Sequence, residues 1–414
     1  MVHDVPRLIE LMRSRAVYVW VAFVIPPIAL FSHALSPGTA VFKGQDLGVL
    51  VALGLTVVAG IAWLPYRAQG RMPALVVVTL SAVLAAWLIE ILRTQADGSL
   101  FNTSSFCLPV LVMLLLLKPP AADDVRLAGL GLFSMVAIIA ILSLPLGILG
   151  VMPNGFEGAD NGVCRLSVLC DLVNNLNRWS GPFGSVNYAA PMGAALIVYG
   201  AVQRRPLAWF LIGAGVLVMV LSQGRTALFA AVAGLAVVVL FSRRVAQSPR
   251  RRAIRIGSVL GLLFAGLMYM LIFDPSLNGR VGIWEDLLRL WRTDPWTGLG
   301  TSGISANVEQ AQGVGMALHG HSVILDQLIR WGPGQALLTI TILVLILIAA
   351  AHALRTAGRG PLAVAVTVVV AGLVETMHDW TYWSIILAML VWALVSHMHE
   401  RTRAPESEYV SSAA

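Results

Sequence analysis

The chain has 414 residues, of which 58% are hydrophobic and only 12% are charged. Soluble domains contain about 25% charged residues, so this composition excludes an ordinary soluble globule. The formal net charge of +7 comes from basic residues in short segments between apolar runs. That distribution reports orientation in a membrane and argues against nucleic-acid binding. We therefore predict an all-α polytopic membrane protein, surrounded by membrane lipids.

The apolar runs predict about twelve transmembrane helices, since crossing roughly 30 Å of hydrocarbon takes about 20 apolar residues. Together they make a single membrane domain over residues 1–414. Glycine is frequent within them, which suits close packing of helices in lipid. In chain order the predicted spans are 17–35, 47–65, 73–92, 104–117, 127–150, 185–202, 207–222, 226–241, 256–273, 335–351, 362–377 and 380–397.

Basic residues are concentrated in alternate segments between these spans, most densely between Arg243 and Arg255. By the positive-inside rule these segments face the cytoplasm, together with both termini. The two longest polar segments, 151–184 and 274–330, then form loops on the outer side. The small polar tail 401–414 is predicted to be disordered.

Two cysteines, Cys164 and Cys170, lie in the first outer loop. An oxidising compartment would permit a disulfide between them. Their spacing alone does not fix the geometry of a bridge, so two free thiols remain an equal alternative.

The outer loop 274–330 contains the histidines His319 and His321. His321 precedes Ser322, which we predict to cap a short amphipathic helix. The positive end of the helix dipole favours a neutral imidazole there, the form that a general base requires. The competing interpretation is a zinc site on the two histidines. No third ligand stands at a telling spacing, so we expect no metal.

Arginines are the predicted anion-binding groups. Arg225 follows Gln223 and Gly224 in a tight turn between two apolar runs, and an ionisable residue at such a depth is a functional hypothesis by default. The alternative is a snorkelling helix anchor. Arg280 offers a planar fork matched to phosphate oxygens. The alternative for Arg280 is a solvated loop residue paired with Glu285 or Asp286, and such an exposed ion pair contributes little stability. No Asp-x-Asp sequence occurs, so arginine would have to meet a diphosphate.

Other polar residues near the outer side give weaker signals. Arg178 and Asn187 flank a Gly- and Pro-containing entry into the sixth span, where they could offer polar groups to a cavity. Glu90 and Arg93 are three residues apart and are expected to neutralise each other. Glu375 lies at the last outer turn, where we interpret it as an interfacial cap.

Five short motifs in order resemble those of bacterial O-antigen ligases and the related O-antigen polymerases. The resemblance covers most of the chain from about Gly181 onward. The family often has Asn after the histidine, where this chain has Ser322. The downstream Leu325 and Gly332 have the spacing of the family motif when His321, rather than His319, is taken as its histidine. The motifs are Gly-Pro-Phe-x-x-x-Asn at 181–187, Ser-x-Gly-Arg at 222–225, Gly-Arg-x-x-x-Trp at 279–284, Asp-Pro-x-x-Gly-x-Gly at 294–300, and His-Ser-x-x-Leu followed by Trp-Gly at 321–332.

The resemblance implies a glycosyltransferase with a GT-C-like fold in the bacterial inner membrane, whose two outer loops are periplasmic. It implies transfer of glycan from undecaprenyl diphosphate, the donor, to lipid A–core, the acceptor, in lipopolysaccharide biosynthesis. Inversion at the anomeric carbon is expected, without metal or cofactor. His321 would be catalytic, and Arg225 and Arg280 would bind the donor diphosphate. The supporting residues would be His319, Arg178, Asn187, Gln223 and Trp284.

Two other functions compete with the ligase. An O-antigen polymerase would use a second lipid-linked repeat unit as acceptor. Extra cations on the outer side favour the ligase, because lipid A–core carries phosphates: Lys43, Arg289, Arg292 and Arg330. A proton-coupled transporter, with His321 as proton relay and Arg225 as anion site, would be expected to show internal repeats. The sequence shows no such correspondence between its halves.

Overall fold

A computed structural model describes residues 72–96, 107–117, 119–120, 122–148, 179, 181–183, 186–241, 280–300, 303–304, 321–355, 357–375, 380 and 384–397. This part of the chain is all-helical. The predicted spans 17–35, 47–65 and 256–273 and the tail 401–414 lie outside it, as does most of the loop 151–184. Arg178, His319, Lys43, Cys164 and Cys170 also lie outside the described residues.

Eleven α-helices and two 3-10 helices form the described part. The 3-10 helices are Gly181–Phe183 and Ala353–Arg355. The α-helices are α1 (Ala74–Ala96), α2 (Cys107–Leu117), α3 (Ala122–Ile148), α4 (Val186–Gly200), α5 (Leu207–Ser222), α6 (Arg225–Leu240), α7 (Arg280–Trp291), α8 (Val323–Trp331), α9 (Pro333–His352), α10 (Gly360–Gly372) and α11 (Ile385–Val395).

Nine of these helices coincide with predicted spans, and α5 does so residue for residue. Within the described residues, α1, α3 and α9 contain stretches of 20 to 22 residues that are long and apolar enough to cross a membrane. The helices α10 and α11 are apolar but only 13 and 11 residues long. The structure thus supports a helical membrane protein, with three helices of full spanning length in the part described.

The surface of the bundle is apolar, whereas several polar side chains are buried inside it. Glu90, Gln335 and Thr339 are at most 2% exposed. Exposed large apolar side chains on so many helices are uncommon in a soluble protein, so lipid is the solvent that this surface fits. The exposed apolar side chains include Val78, Leu88, Leu92, Met113, Leu142, Trp209, Val216, Leu228, Val239, Leu337 and Val344.

The centre of the bundle is α4, which packs against α5, α6 and α10. The α4 and α5 backbones meet at Gly193 and Gly215, and a Cβ on Gly193 would lie 2.8 Å from the carbonyl oxygen of Gly215. This confirms the expectation that glycines allow close helix packing.

In the described residues of the polar segment 274–330, α7 packs on α8 around Leu287, Ile304 and Ile329. We refer to these two helices and the described residues between them as a small unit. The helix predicted after Ser322 is confirmed as α8, and the Ser322 hydroxyl accepts a hydrogen bond from the Leu325 amide at 3.5 Å. The loop after α7 joins this unit to the bundle through Arg93, which donates to the carbonyl oxygens of Thr297 and Trp331.

The helix ends form two groups, one at each end of the bundle. Within each group the helix ends contact one another. At one end, which we term the site end, the starts of α6, α7 and α8 meet the segment that follows α10. At the other, the basic end, Arg359 donates to the Val238 carbonyl at 2.9 Å and Trp392 donates to the Val125 carbonyl at 3.0 Å. These are the groupings expected if successive spans alternate in direction.

Candidate functional site

The site end is organised around one buried carboxylate, that of Glu375, which is 4% exposed. Its Oε1 accepts a hydrogen bond from Nη2 of Arg280. Its Oε2 lies 3.5 Å from Nδ1 of His321. A single acidic group therefore joins the predicted base to one of the predicted anion-binding arginines.

Arg280 is the first residue of α7 and is held from two sides. Besides Glu375, its Nη1 donates to the Thr226 hydroxyl at 3.2 Å. The side chain is 13% exposed. The alternative of a solvated arginine paired with Glu285 or Asp286 is therefore wrong. Asp286 instead lies 3.6 Å from Arg289 on the surface.

Arg225 stands beside this cluster at the start of α6. It is exposed and precedes Thr226, the residue that Arg280 contacts. Gln223 caps the end of α5 and is partly exposed in the same turn. The structure therefore brings Arg225, Gln223 and Arg280 to one end of the bundle.

The supporting residues lie on the adjoining helix ends. Trp284 is one turn after Arg280 on α7, and residues four apart share a helix face. Asn187 is the second residue of α4. It lies one turn before Ala190. Ala190 in turn lies directly against Gly224, because a Cβ on Gly224 would overlap it. Asn187 is thus near the turn that carries Gln223.

The backbone is strained at two of the predicted site residues. His321 has φ +48° and Gln223 has φ +54°, and no other non-glycine residue in the described part of the chain has a positive φ. Such conformations cost about 1–3 kcal/mol and cluster at ligand-binding and active sites. In His321 the conformation turns the chain into the Ser322 cap of α8.

The starts of three helices, as far as the structure describes them, meet at this cluster. Arg225 and Arg280 are the first residues of α6 and α7, and His321 immediately precedes the cap of α8. Helix N-termini carry unsatisfied backbone N–H groups and partial positive charge. Two buried carboxylates of the described residues also lie here, Glu375 beside Arg280 and His321, and Asp326 in the first turn of α8. Arg225 is exposed beside them, and an arginine at a helix N-terminus can meet an anion such as a phosphate.

The glycine motifs fix the position of α8 and with it His321. Gly298 has φ +74°, and a Cβ there would lie 2.6 Å from the Arg330 carbonyl oxygen. Gly332 has φ +83°, and a Cβ there would meet the Trp296 carbonyl. Next to these two glycine contacts, the Leu299 amide donates a hydrogen bond to the Ile329 carbonyl at 2.8 Å. The Asp-Pro-x-x-Gly-x-Gly and Trp-Gly motifs therefore interlock, backbone against backbone.

The residue that sequence reasoning missed is Glu375, which was interpreted as an interfacial cap. It lies between Arg280 and His321, below the surface of the site. The available signal was an acidic residue at the predicted outer end of an apolar run, on the same predicted side as a histidine and two arginines. Its partners are far away in sequence, so the pairing itself left no local pattern.

A comparison of the sequence with protein-family models finds no match, and a comparison with curated proteins finds none either.

Proposed function

We propose that this protein is an O-antigen ligase, an inverting and metal-independent glycosyltransferase of the bacterial inner membrane. It would transfer glycan from undecaprenyl diphosphate to lipid A–core at the periplasmic face. The observation that carries the proposal is the Glu375 carboxylate, which touches both His321 and Arg280 at the end of an apolar helical bundle. A base and a cationic anion site stand side by side, as glycosyl transfer from a diphosphate requires.

The proposed base is His321. A carboxylate facing Nδ1 favours the tautomer that carries its hydrogen on that nitrogen, which leaves the Nε2 lone pair for a substrate proton. Glu375 also stabilises the imidazolium that forms when the proton arrives. The 3.5 Å separation is longer than a good hydrogen bond, and such contacts commonly shorten when a substrate binds.

The proposed leaving-group site is the pair Arg225 and Arg280 with the N-termini of α6 and α7. Arg280 is held by Glu375 and Thr226, so its guanidinium is already oriented. Arg225 is exposed and begins α6. Groups that are positioned in advance stabilise a developing negative charge without the cost of rearrangement.

In the proposed reaction, a hydroxyl of lipid A–core attacks the anomeric carbon of the donor glycan. The new carbon–oxygen bond forms as the bond to the diphosphate breaks, and the hydroxyl proton moves to Nε2 of His321. Undecaprenyl diphosphate leaves with the bonding electron pair and its added charge, which the two arginines stabilise. Attack opposite the leaving group inverts the anomeric carbon.

The proposed architecture is the twelve-span, GT-C-like domain with both termini in the cytoplasm. The alternating helix directions in the described part support it, because α3, α4, α10 and α11 all bring their basic-loop ends together. Under this topology the site end faces the periplasm, where lipid-linked glycan and lipid A–core are both present.

The decisive experiment is reconstitution of the purified protein in liposomes with undecaprenyl diphosphate-linked glycan and lipid A–core, without nucleotide sugar and with EDTA. Lipid A–core that carries glycan is the expected product, and a His321→Asn variant should form it at least about 10²-fold more slowly. Extension of one lipid-linked glycan by another would identify a polymerase instead. Absence of any glycan transfer under conditions in which both substrates bind would refute the proposal.

A further inference from the structure

The basic end of the bundle contains a cavity of about 340 Å³ between α3, α4, α10 and α11. It lies at the opposite end from Glu375 and His321. Four segments that the charge pattern assigns to the cytoplasm meet around it: the start of α3, the end of α4, the start of α10 and the end of α11. Neither Glu375 nor His321 lines this cavity.

The charged groups that line this cavity are Arg126 and Arg359, and none of its lining residues in the described part of the chain is acidic. Arg126 is exposed at the rim. Arg359 is partly buried and is oriented by its hydrogen bond to the Val238 carbonyl. Tyr199 and Gln203 add neutral hydrogen-bond donors. A concave surface with two guanidinium groups and neutral donors is built for an anion.

The wall of the cavity is closely packed. Tyr199 stacks on Phe133 with ring centroids 3.9 Å apart, and Trp392 meets Tyr199 edge-on at 5.4 Å. The Trp392 indole is fixed in turn by its bond to the Val125 carbonyl. The first residues of α10, Gly360 and its neighbour, also line the cavity and present a helix N-terminus to it. Such a preformed site loses little conformational entropy when it binds a ligand.

We propose that this cavity binds the phosphate group of an anionic ligand at the cytoplasmic side of the membrane. Guanidinium groups pair with phosphate oxygens through two parallel hydrogen bonds. Basic cavities between membrane helices on the cytoplasmic side bind the headgroups of anionic lipids. The chemistry fits a phospholipid headgroup and also a free phosphate, and the two sources are separable by experiment. The inference uses the proposed membrane orientation but not the glycosyl transfer.

The test measures binding to the full-length protein in detergent after lipid depletion. Phosphatidylglycerol, phosphatidylcholine and inorganic phosphate are added in separate titrations, followed by native mass spectrometry and thermal unfolding. We expect phosphatidylglycerol to bind more tightly than phosphatidylcholine. Arg126→Gln should weaken that binding about fivefold, the effect of one basic residue near an anionic headgroup. Because Arg126 is exposed, this variant should fold normally.

The matched control is Arg204→Gln, which removes an exposed arginine near the basic end that does not line the cavity. It should bind as the wild type does, and so should His321→Asn, which separates this proposal from the glycosyl transfer. Equally tight binding of inorganic phosphate, lost in Arg126→Gln, would support the site and identify a soluble phosphate as its ligand. The proposal fails if Arg126→Gln binds phosphatidylglycerol as tightly as wild type, or if neither anion binds.

Discussion

Glu375 faces His321 across 3.5 Å, from Oε2 to Nδ1, while its other oxygen holds the Arg280 guanidinium. One carboxylate thereby holds the guanidinium by a hydrogen bond and lies next to the imidazole. The shared partner couples the two groups, so a change at any one of the three should affect the other two.

The first prediction concerns the charge of Glu375. Glu375→Gln should reduce the transfer rate by about 10²–10⁴, because the imidazolium formed on His321 would no longer face a carboxylate. It should also destabilise the fold by about 3–5 kcal/mol, since it leaves the Arg280 charge buried and unpaired. Turnover and thermal unfolding check the two effects, with Glu285→Gln on the exposed face of α7 as control.

A double variant tests whether the lost stability comes from the unpaired charge of Arg280. Glu375→Gln combined with Arg280→Gln removes both charges and should recover much of the lost stability, because no buried charge remains unpaired. The transfer rate should stay low. If the rate recovered together with the stability, Glu375 would have only a structural role.

The second prediction concerns the base. Because His321 has φ +48°, alanine there would combine loss of the base with backbone strain. Asparagine tolerates a positive φ, so His321→Asn isolates the chemistry. It should lower the rate by about 10²–10⁴ while donor binding is retained. His319→Ala should have a milder effect on the rate. A larger loss of rate in His319→Ala than in His321→Asn would assign the base to His319.

The third prediction concerns the leaving group. Arg225→Lys and Arg280→Lys should each lower turnover by about 10²–10³, because an ammonium does not reproduce the planar fork. Activity should be unchanged by EDTA. Arg204→Lys, exposed at the basic end, is the control and should keep the wild-type rate. Activity that disappears with EDTA and returns with magnesium would contradict the arginine-based site.

The fourth prediction concerns the interlocked glycine motifs. Gly332→Ala places a Cβ against the Trp296 carbonyl at φ +83°, and should cost about 1–3 kcal/mol of stability. Gly334→Ala is the control two residues away, where a Cβ would meet nothing within 4 Å. Because alanine favours helix, it should leave stability unchanged or raise it by up to about 1 kcal/mol. Equal stability of the two variants would contradict the described contact.

The fifth prediction concerns orientation. In a variant whose three native cysteines are replaced by serine, Gly282→Cys on the exposed face of α7 should react with an impermeant thiol reagent added outside. Arg204→Cys, exposed at the basic end, should react only after the membrane is opened. The opposite pattern would invert the proposed topology and remove the periplasmic assignment of the site.

The sequence by itself predicted the helices well, because the signals that form a helix in lipid are local. Apolar runs predicted nine of the eleven described helices, and Ser322 correctly marked the start of α8. The alternation of charge predicted that Arg225, Arg280 and His321 would lie at one end of the bundle, which follows once successive spans reverse direction. Their chemical roles remain proposals.

Only the tertiary structure decided which polar groups touch. The pairing of Glu375 with Arg280 and His321, and the contact of Arg93 with the Thr297 and Trp331 carbonyls, join segments far apart in the chain. Such contacts depend on how helices rotate and pack, and hydropathy does not record rotation. This is also why Glu375 was predicted to be an interfacial cap. Its distance from the end of an apolar run is a local property of the sequence. Its partners are set by the packing of α10 against the rest of the bundle.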